Sequence, residues 1–226
     1  RFELAIPIAD DDKDAINVLV LSLVSIVLIS LVVLLLTITL AEPLTNILNA
    51  QPLRPFLWLL SVGKAGIGLY SAVLHWAIRK KAYKDITKTK VNQGTAKVTV
   101  QIASGFLGFG PIGLILGEIL GQAFGVRVLS KPLLNQERDL WKAVDFASMK
   151  SMAYRYKKFP LVSSWSALLN TAGFSLPILL LSSLYGTEVA GSFGFSQLIV
   201  SLPLNLVGTA ISQVFFSEGA TLSKED

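Results

Sequence analysis

An uninterrupted apolar segment near the start of the chain constrains the fold more than any other feature. Residues 15–40 are 26 consecutive residues without a charged side chain. A helix of about 20 apolar residues crosses the roughly 30 Å hydrocarbon core of a bilayer. Because the segment exceeds that length, it predicts a membrane-spanning helix rather than the core helix of a soluble domain.

The composition excludes several classes of soluble protein. Hydrophobic residues make up 52% of the 226 residues and charged residues 15%, whereas about a quarter of the residues in a soluble domain are charged. The chain has no cysteine, which excludes disulfides and cysteine-ligated metal sites. The formal charge of +5 does not indicate a nucleic-acid partner, because the lysines and arginines lie between apolar segments, as in multipass membrane proteins.

Further apolar segments extend the pattern along the chain. They predict an all-α integral membrane protein with six transmembrane helices, the other five at residues 55–78, 91–109, 112–129, 160–184 and 189–216. Eighteen of the 20 lysines and arginines fall in the connections on one side, which predicts that both ends face the cytoplasm. The chain opens at Arg1 and both methionines are internal, so we expect a piece of a longer protein.

The connection at residues 131–159 is long and strongly basic. Apolar residues recur in it near helical spacing, at Leu140, Trp141, Val144, Met152 and Tyr156. This pattern predicts an amphipathic helix on the inner membrane surface, with an ordinary cytoplasmic helix as the alternative. The predicted organisation is four helices in residues 1–130, this linker at 131–159, and two helices in 160–226.

Lys64 is the most distinctive charged residue, because it lies near the middle of the second predicted span. A lysine at the centre of a membrane helix costs roughly 2.5–3.5 kcal/mol on insertion scales. We interpret Lys64 as a cation in a cavity that holds an anionic substrate. The alternative is a structural ion pair between Lys64 and Glu118 of the fourth span. Lys97 lies nearer the basic loop, so snorkelling is its default and substrate contact a weaker hypothesis.

Polar side chains share one face on each of three predicted helices. These stripes are Gln93, Lys97, Gln101 and Ser104; Ser163, Ser166 and Asn170; and Gln197, Ser201 and Asn205. Because amides facing lipid are costly, the stripes should point into the bundle, where they line a hydrated cavity or form interhelical hydrogen bonds. The candidate substrate-binding residues are therefore Lys64, Lys97, Gln101, Asn170, Gln197 and Asn205.

Glycines and prolines indicate where helices approach closely or bend. Gly113, Gly117, Gly121 and Gly125 recur every four residues on one face of the fourth helix, which favours either a sliding surface or static close packing. Pro177 and Pro203 each remove a backbone hydrogen bond within a predicted span and permit a kink there.

An acidic run precedes the first span. Residues 10–14 read Asp-Asp-Asp-Lys-Asp, which contains the D-D-x-x-D spacing that chelates Mg²⁺ in prenyl-transferring enzymes. Such a site needs a second acidic cluster facing the first, and the sequence has none. Acids before a helix also stabilise its N-terminus, so we favour that role and predict no metal site.

Several short segments of the chain, taken in their order along it, resemble the polysaccharide-biosynthesis flippases, which are the Wzx-type translocases of O-antigen and exopolysaccharide repeat units. The resemblance rests on the sequences at residues 1–6, 113–125, 156–160, 168–177, 189–191, 203 and 213–216. These proteins belong to the wider multidrug/oligosaccharidyl-lipid/polysaccharide exporter superfamily. The resemblance implies a two-lobed transporter of about 12–14 helices, of which this chain would supply the third to the eighth, with 131–159 as the inter-lobe linker.

The expected function is a flippase rather than an enzyme, needing no cofactor and no ATP. Its substrate would be an undecaprenyl-pyrophosphate-linked oligosaccharide, and its partners would be membrane lipid and the polysaccharide polymerase and chain-length machinery. The resemblance implies the bacterial cytoplasmic membrane. The alternatives are a cation-coupled multidrug antiporter of the same superfamily and, with less support, an integral-membrane prenyltransferase or polymerase.

Overall fold

The computed structural model describes residues 1–201, 203 and 204, and this part of the chain is helical without β-strands. The seven α-helices with defined bounds are α1 (Asp12–Thr39), α2 (Ala41–Ile47), α3 (Leu59–Arg79), α4 (Tyr83–Phe106), α5 (Pro111–Gln136), α6 (Phe146–Arg155) and α7 (Ser164–Tyr185). Short 3-10 segments cover Phe2–Ile8, Gln51–Phe56 and Arg138–Ala143, and a π-helical turn covers Phe159–Ser163. Residues 187–201 are also helical.

Local sequence signals set where the helices begin. The Asp11 carboxylate caps α1 by accepting a hydrogen bond from the Asp14 backbone N–H at 2.7 Å. This supports the predicted helix-terminal role of the acidic run. A turn separates α4 from α5, because Gly110 adopts φ 55°, which suits glycine, and α5 begins at Pro111.

Three of the helices are long and apolar enough to cross a membrane: Asp12–Thr39, Ile112–Asn135 and Phe159–Tyr185. The described residues therefore contain three such helices, and the expectation of six is not met there. The second and third predicted spans form α3 and α4, but Lys64 and His75 in α3 and the lysines of α4 make them more polar. The sixth predicted span is helical over 187–201, and its remainder lies outside the described residues.

The chain divides into two compact units. The first comprises residues 1–45 and 51–170, and the second contains residues 46–50 and the described residues from 171 onward. In the first unit α1 packs on α3 and α6, and α5 packs on α3 and α4. In the second, the Asn49 side chain donates to the Ser183 carbonyl at 2.9 Å and Ser182 donates to the Leu48 carbonyl at 2.6 Å. The predicted organisation into 1–130, 131–159 and 160–226 stays a prediction.

The buried core of the first unit lies at one end of its bundle. It includes residues of the N-terminal 3-10 segment, the first turns of α1, the last turns of α3 and α5, and the connection after α5: Ala5, Ile6, Ile16, Leu19, Trp76, Leu133, Met152 and Tyr156. The later turns of α1 instead expose Leu31, Leu35 and Ile38. A helix that is apolar on all sides and exposed along much of its length is suited to contact with lipid.

The connection at residues 131–159 differs from the expected single amphipathic helix. α5 continues to Gln136, after which come a 3-10 turn at Arg138–Ala143 and α6. The five apolar residues predicted to lie on the membrane belong to the core or pack against it, with Met152 and Tyr156 only 7% exposed. These side chains contact protein, so the apolar positions of this connection do not form a membrane-facing surface.

Asn17 fixes this connection to α1. Its side-chain amide donates to the carbonyl oxygens of Lys13 at 2.8 Å and Ala143 at 3.0 Å. Its carbonyl oxygen accepts from the Asp145 backbone N–H at 3.1 Å. A buried amide with its donors and acceptor all engaged holds its surroundings in one arrangement, because any alternative would leave a polar group unsatisfied.

Candidate functional site

The glycine stripe of α5 faces the polar stripe of α4. All four glycines are buried. A Cβ atom added at each would touch α4, at Ser104 from Gly113, at Gln101 from Gly117, at Lys97 from Gly121, and at Gln93 from Gly125. Each step of four residues along α5 is thus matched by about four residues in the opposite direction along α4, as in an antiparallel hairpin.

This arrangement gives the α4 stripe a structural role. The absence of a Cβ on α5 leaves room for amide and lysine side chains between two closely spaced helices. The Gln101 amide donates to the Leu114 carbonyl at 3.1 Å, and a Cβ at Gly117 would lie 3.1 Å from the Lys97 carbonyl oxygen. For α4, an interhelical hydrogen bond of the kind considered as an alternative is therefore present at Gln101. Whether the glycine face also slides stays a prediction.

The carboxylate of Glu118 pairs with Lys97 across the hairpin, not with Lys64. The Lys97 Nζ to Glu118 Oε2 distance is 2.5 Å, and the Gln122 amide donates to Glu118 Oε1 at 3.0 Å. This corrects the alternative of a Lys64–Glu118 pair. The close approach of α4 to α5 at the glycines brings Lys97 to the carboxylate first.

Lys64 lies on a groove between α3 and α5 with a volume of about 420 Å³. The groove is largely apolar, with Leu59, Leu60, Gly63, Ile67, Leu114, Ile115 and Ile119 lining it beside Lys64 and Glu118. The Lys64 side chain is exposed, and among the described residues it makes no ion pair or hydrogen bond. The site therefore combines a free ammonium group with an open apolar wall.

The remaining candidates lie elsewhere. Asn170 is exposed on α7. Gln197 lines a separate groove of about 520 Å³ within the second unit, together with Phe174, Gly194, Leu198, Ser201 and Leu204. Asn205 is outside the described residues. Pro177 lies inside α7, and Pro203 occupies a helical position at the end of the described chain.

The acidic run before α1 is engaged by basic side chains. Asp10 pairs with Arg155 at 2.7 Å, and Asp12 pairs with Arg79 and Lys80, both at 2.8 Å. Lys80 also reaches Glu137 at 2.7 Å. Guanidinium and ammonium groups beside these carboxylates oppose Mg²⁺ binding, so the geometry disfavours the prenyltransferase interpretation of this run.

Burial alone would lower the pKa of Lys80, but its hydrogen bonds to Asp12 and Glu137 raise that pKa above its ordinary value. The ammonium group therefore stays charged across physiological pH, and its two ion pairs persist throughout that range.

Arg79 is a positioning residue that sequence reasoning missed. Besides its pair with Asp12, its guanidinium donates to the carbonyl oxygens of Ile6 at 3.2 Å and Ala9 at 2.7 Å. It thereby ties the N-terminal 3-10 segment to the end of α3. The lysines and arginines here were interpreted only as topology signals. The feature that distinguishes Arg79 from the other basic residues is its place at the end of an apolar helix, in a chain whose first apolar helix follows an acidic run.

We expect Arg79→Met to loosen the N-terminal segment, because three hydrogen bonds from a charged donor are lost and two carbonyls and a carboxylate lose a partner. The expected loss is about 2 kcal/mol of local stability. Limited proteolysis of the purified chain should show faster cleavage within Phe2–Ile8. Arg127→Met is the matched control, since its side chain is exposed. Equal cleavage rates for the two variants would contradict the role.

The architecture defines a helical membrane protein with a polar helical hairpin and a lysine-bearing apolar groove. A family model described as "Polysaccharide biosynthesis protein" matches residues 8–226, so the chain belongs to this family. The comparisons with curated proteins and with solved structures gave no match. The resemblance noted from the sequence is thereby confirmed at the level of the family.

Proposed function

We propose that this chain belongs to a flippase that moves undecaprenyl-pyrophosphate-linked oligosaccharide repeat units across the bacterial cytoplasmic membrane for O-antigen or exopolysaccharide biosynthesis. Membership of the polysaccharide biosynthesis family supports a role in making or exporting a polysaccharide, and the three apolar helices support a location in a membrane. The observation that carries the transport step is the unpaired ammonium group of Lys64 on an apolar groove.

The chemistry of the groove suits an anionic amphiphile. Moving a pyrophosphate through a bilayer requires a replacement for its water shell, and an ammonium group supplies both charge and hydrogen bonds. The apolar wall beside Lys64 offers contact for a lipid chain. Since Glu118 is already paired with Lys97, the carboxylate on the same groove adds less repulsion toward an anion than a free one would.

Transport would follow alternating access in a larger two-lobed protein, with the outward movement driven in part by the membrane potential. An anion leaving a negative-inside cell gains about 2.3 kcal/mol per charge per 100 mV. Gln197 and the groove it lines would supply hydrogen bonds to hydroxyl groups of the sugar. Both chain ends would face the cytoplasm, and the polymerase and chain-length machinery would take the product.

The two rival functions need features that the described residues supply less well. A multidrug antiporter needs accessible carboxylates within its spans, but Glu118 is held by Lys97 and Gln122. A membrane prenyltransferase needs carboxylates free to hold Mg²⁺, but Asp10 and Asp12 face Arg155, Arg79 and Lys80.

Lys64→Gln tests the proposal in a host that lacks its own repeat-unit flippase, with the protein expressed from its gene. We expect surface polysaccharide to fall about ten-fold, since a charged hydrogen bond contributes about 1.5–3 kcal/mol. Lys64→Arg should retain most of the export, because it keeps the charge. Surface polysaccharide is measured by immunoblot and normalised to the amount of protein in the membrane.

Lys131→Gln is the matched control, since Lys131 is exposed near the end of α5. If Lys64→Gln exports as well as the control, Lys64 is not the substrate cation. If the unaltered protein restores no export despite membrane insertion and a compatible sugar, the flippase proposal fails and the antiporter becomes the leading candidate.

A further inference from the structure

α6 presents two different faces. Its inward face carries Met152, which is buried in the core at the end of the bundle, and Asn17 holds the backbone just before the helix. Arg155 pairs with Asp10 and so secures the last turn. With this side occupied, the opposite side of the helix projects from the first unit.

The outward face is aromatic and basic. Phe146, Lys150 and Tyr154 are spaced four residues apart and therefore lie in one row along the helix. Phe146 is 80% exposed and Tyr154 74%. The Lys157 ammonium lies 3.8 Å from the centre of the Tyr154 ring, which extends the row by a cation–π contact. Membrane topology explains the lysines, but it does not explain two large aromatic side chains on the same face.

The row adjoins a membrane-spanning segment. The apolar helix at Phe159–Tyr185 follows α6 after only the turn at residues 156–158, which contains Lys157 and Lys158. α6 therefore ends only three residues before the apolar helix begins. Aromatic rings favour the membrane interface, and lysines there are attracted by anionic headgroups.

We propose that the row Phe146, Lys150, Tyr154 and Lys157 is a docking surface for anionic phospholipid. The aromatic rings insert at the level of the headgroups, and the two ammonium groups contact lipid phosphates. This is the face of the connection opposite to the apolar one that the sequence pattern indicated. The surface is independent of the transported substrate, so it can be right or wrong separately from the flippase proposal.

The absence of native cysteine permits a clean test. Ala147→Cys places a single thiol on the exposed side of α6 without altering the row, and it is labelled with an environment-sensitive fluorophore. The full chain is reconstituted into vesicles of phosphatidylcholine, alone or mixed with phosphatidylglycerol. We expect blue-shifted emission and quenching by a lipid-attached quencher in the anionic vesicles, and weaker effects in the neutral ones.

Charge reversal identifies the responsible face. In the anionic vesicles, Lys150→Glu should shift the equilibrium away from the inserted state by at least about five-fold per unit of charge changed. Lys84→Glu makes the same change at an exposed lysine of α4 and should leave the signal unchanged. Equal emission in both kinds of vesicle, or an equal effect of the two variants, would overturn the proposal.

Discussion

Replacing Lys97 with methionine is expected to reduce the amount of folded, membrane-inserted protein sharply. The change leaves the Glu118 carboxylate without its cation inside a helix that is apolar enough to span the membrane. A single charge at that depth costs roughly 3 kcal/mol on insertion scales. The fraction that remains monodisperse in mild detergent, followed by size-exclusion chromatography after heating, measures the loss.

Two companion variants make this prediction specific. Lys97→Met combined with Glu118→Gln removes both charges and should restore much of the lost stability, because no uncompensated carboxylate is left. Lys64→Met should preserve stability, since Lys64 makes no ion pair among the described residues. If Lys64→Met instead matches the loss caused by Lys97→Met, then Lys64 is the true partner of Glu118 in the membrane.

Gly117→Leu should separate the α4–α5 hairpin. A Cβ at this position would already lie 2.4 Å from the Gln101 side chain and 3.1 Å from the Lys97 carbonyl oxygen. The side chain of Gln101 can rotate, but the backbone of α4 can move only with the helix. Overpacking of this kind costs about 1–3 kcal/mol, which corresponds to a fall in Tm of several degrees for a chain of this size.

Gly94→Leu is the matched control, because a Cβ there meets no atom within 4 Å. Thermal unfolding of the two variants in the same detergent separates close packing from a general intolerance of leucine in place of glycine. Gly94→Leu should be neutral or slightly stabilising, since leucine has the higher helix propensity. Equal destabilisation by the two variants would show that the glycine stripe is not a contact surface.

The α4–α5 contact could have been predicted more fully from the sequence. Both stripes have a spacing of about four residues, and they flank a Gly-Pro turn, so an antiparallel hairpin brings them together. Each stripe was interpreted alone, as a cavity lining and as a packing face. The sequence of one helix does not identify what its polar face contacts. Water in a cavity and a polar neighbouring helix can both satisfy the hydrogen bonds of that face within a membrane.

The same limit explains why the sequence offered Lys64 as the alternative partner of Glu118. Lys64 and Glu118 line one groove, so their proximity was a reasonable inference. The distance that decides the pairing depends on how closely α4 approaches α5, and the glycines set that approach. Hydropathy likewise counts every charged residue of a helix against it, so α3 with Lys64 and α4 with its lysines are not among the helices apolar enough to cross a membrane.

The connection at residues 131–159 shows what hydrophobic periodicity predicts and what it does not. Its apolar positions lie in or against the core although they do not share one helix, and the structure buries Met152 and Tyr156. The surface that covers them is the bundle end rather than lipid. Periodicity identifies the face that is removed from water, but it does not identify what removes it.

The hydrogen bonds of Asn17 bear on the order of events during synthesis. Its partners at residues 143 and 145 emerge from the ribosome more than 120 residues later, after α3, α4 and α5 have been made. Contacts so distant along the chain form late and slowly. The N-terminal end of α1 therefore stays incompletely packed until residues 143–145 have been made, however early the helix itself forms.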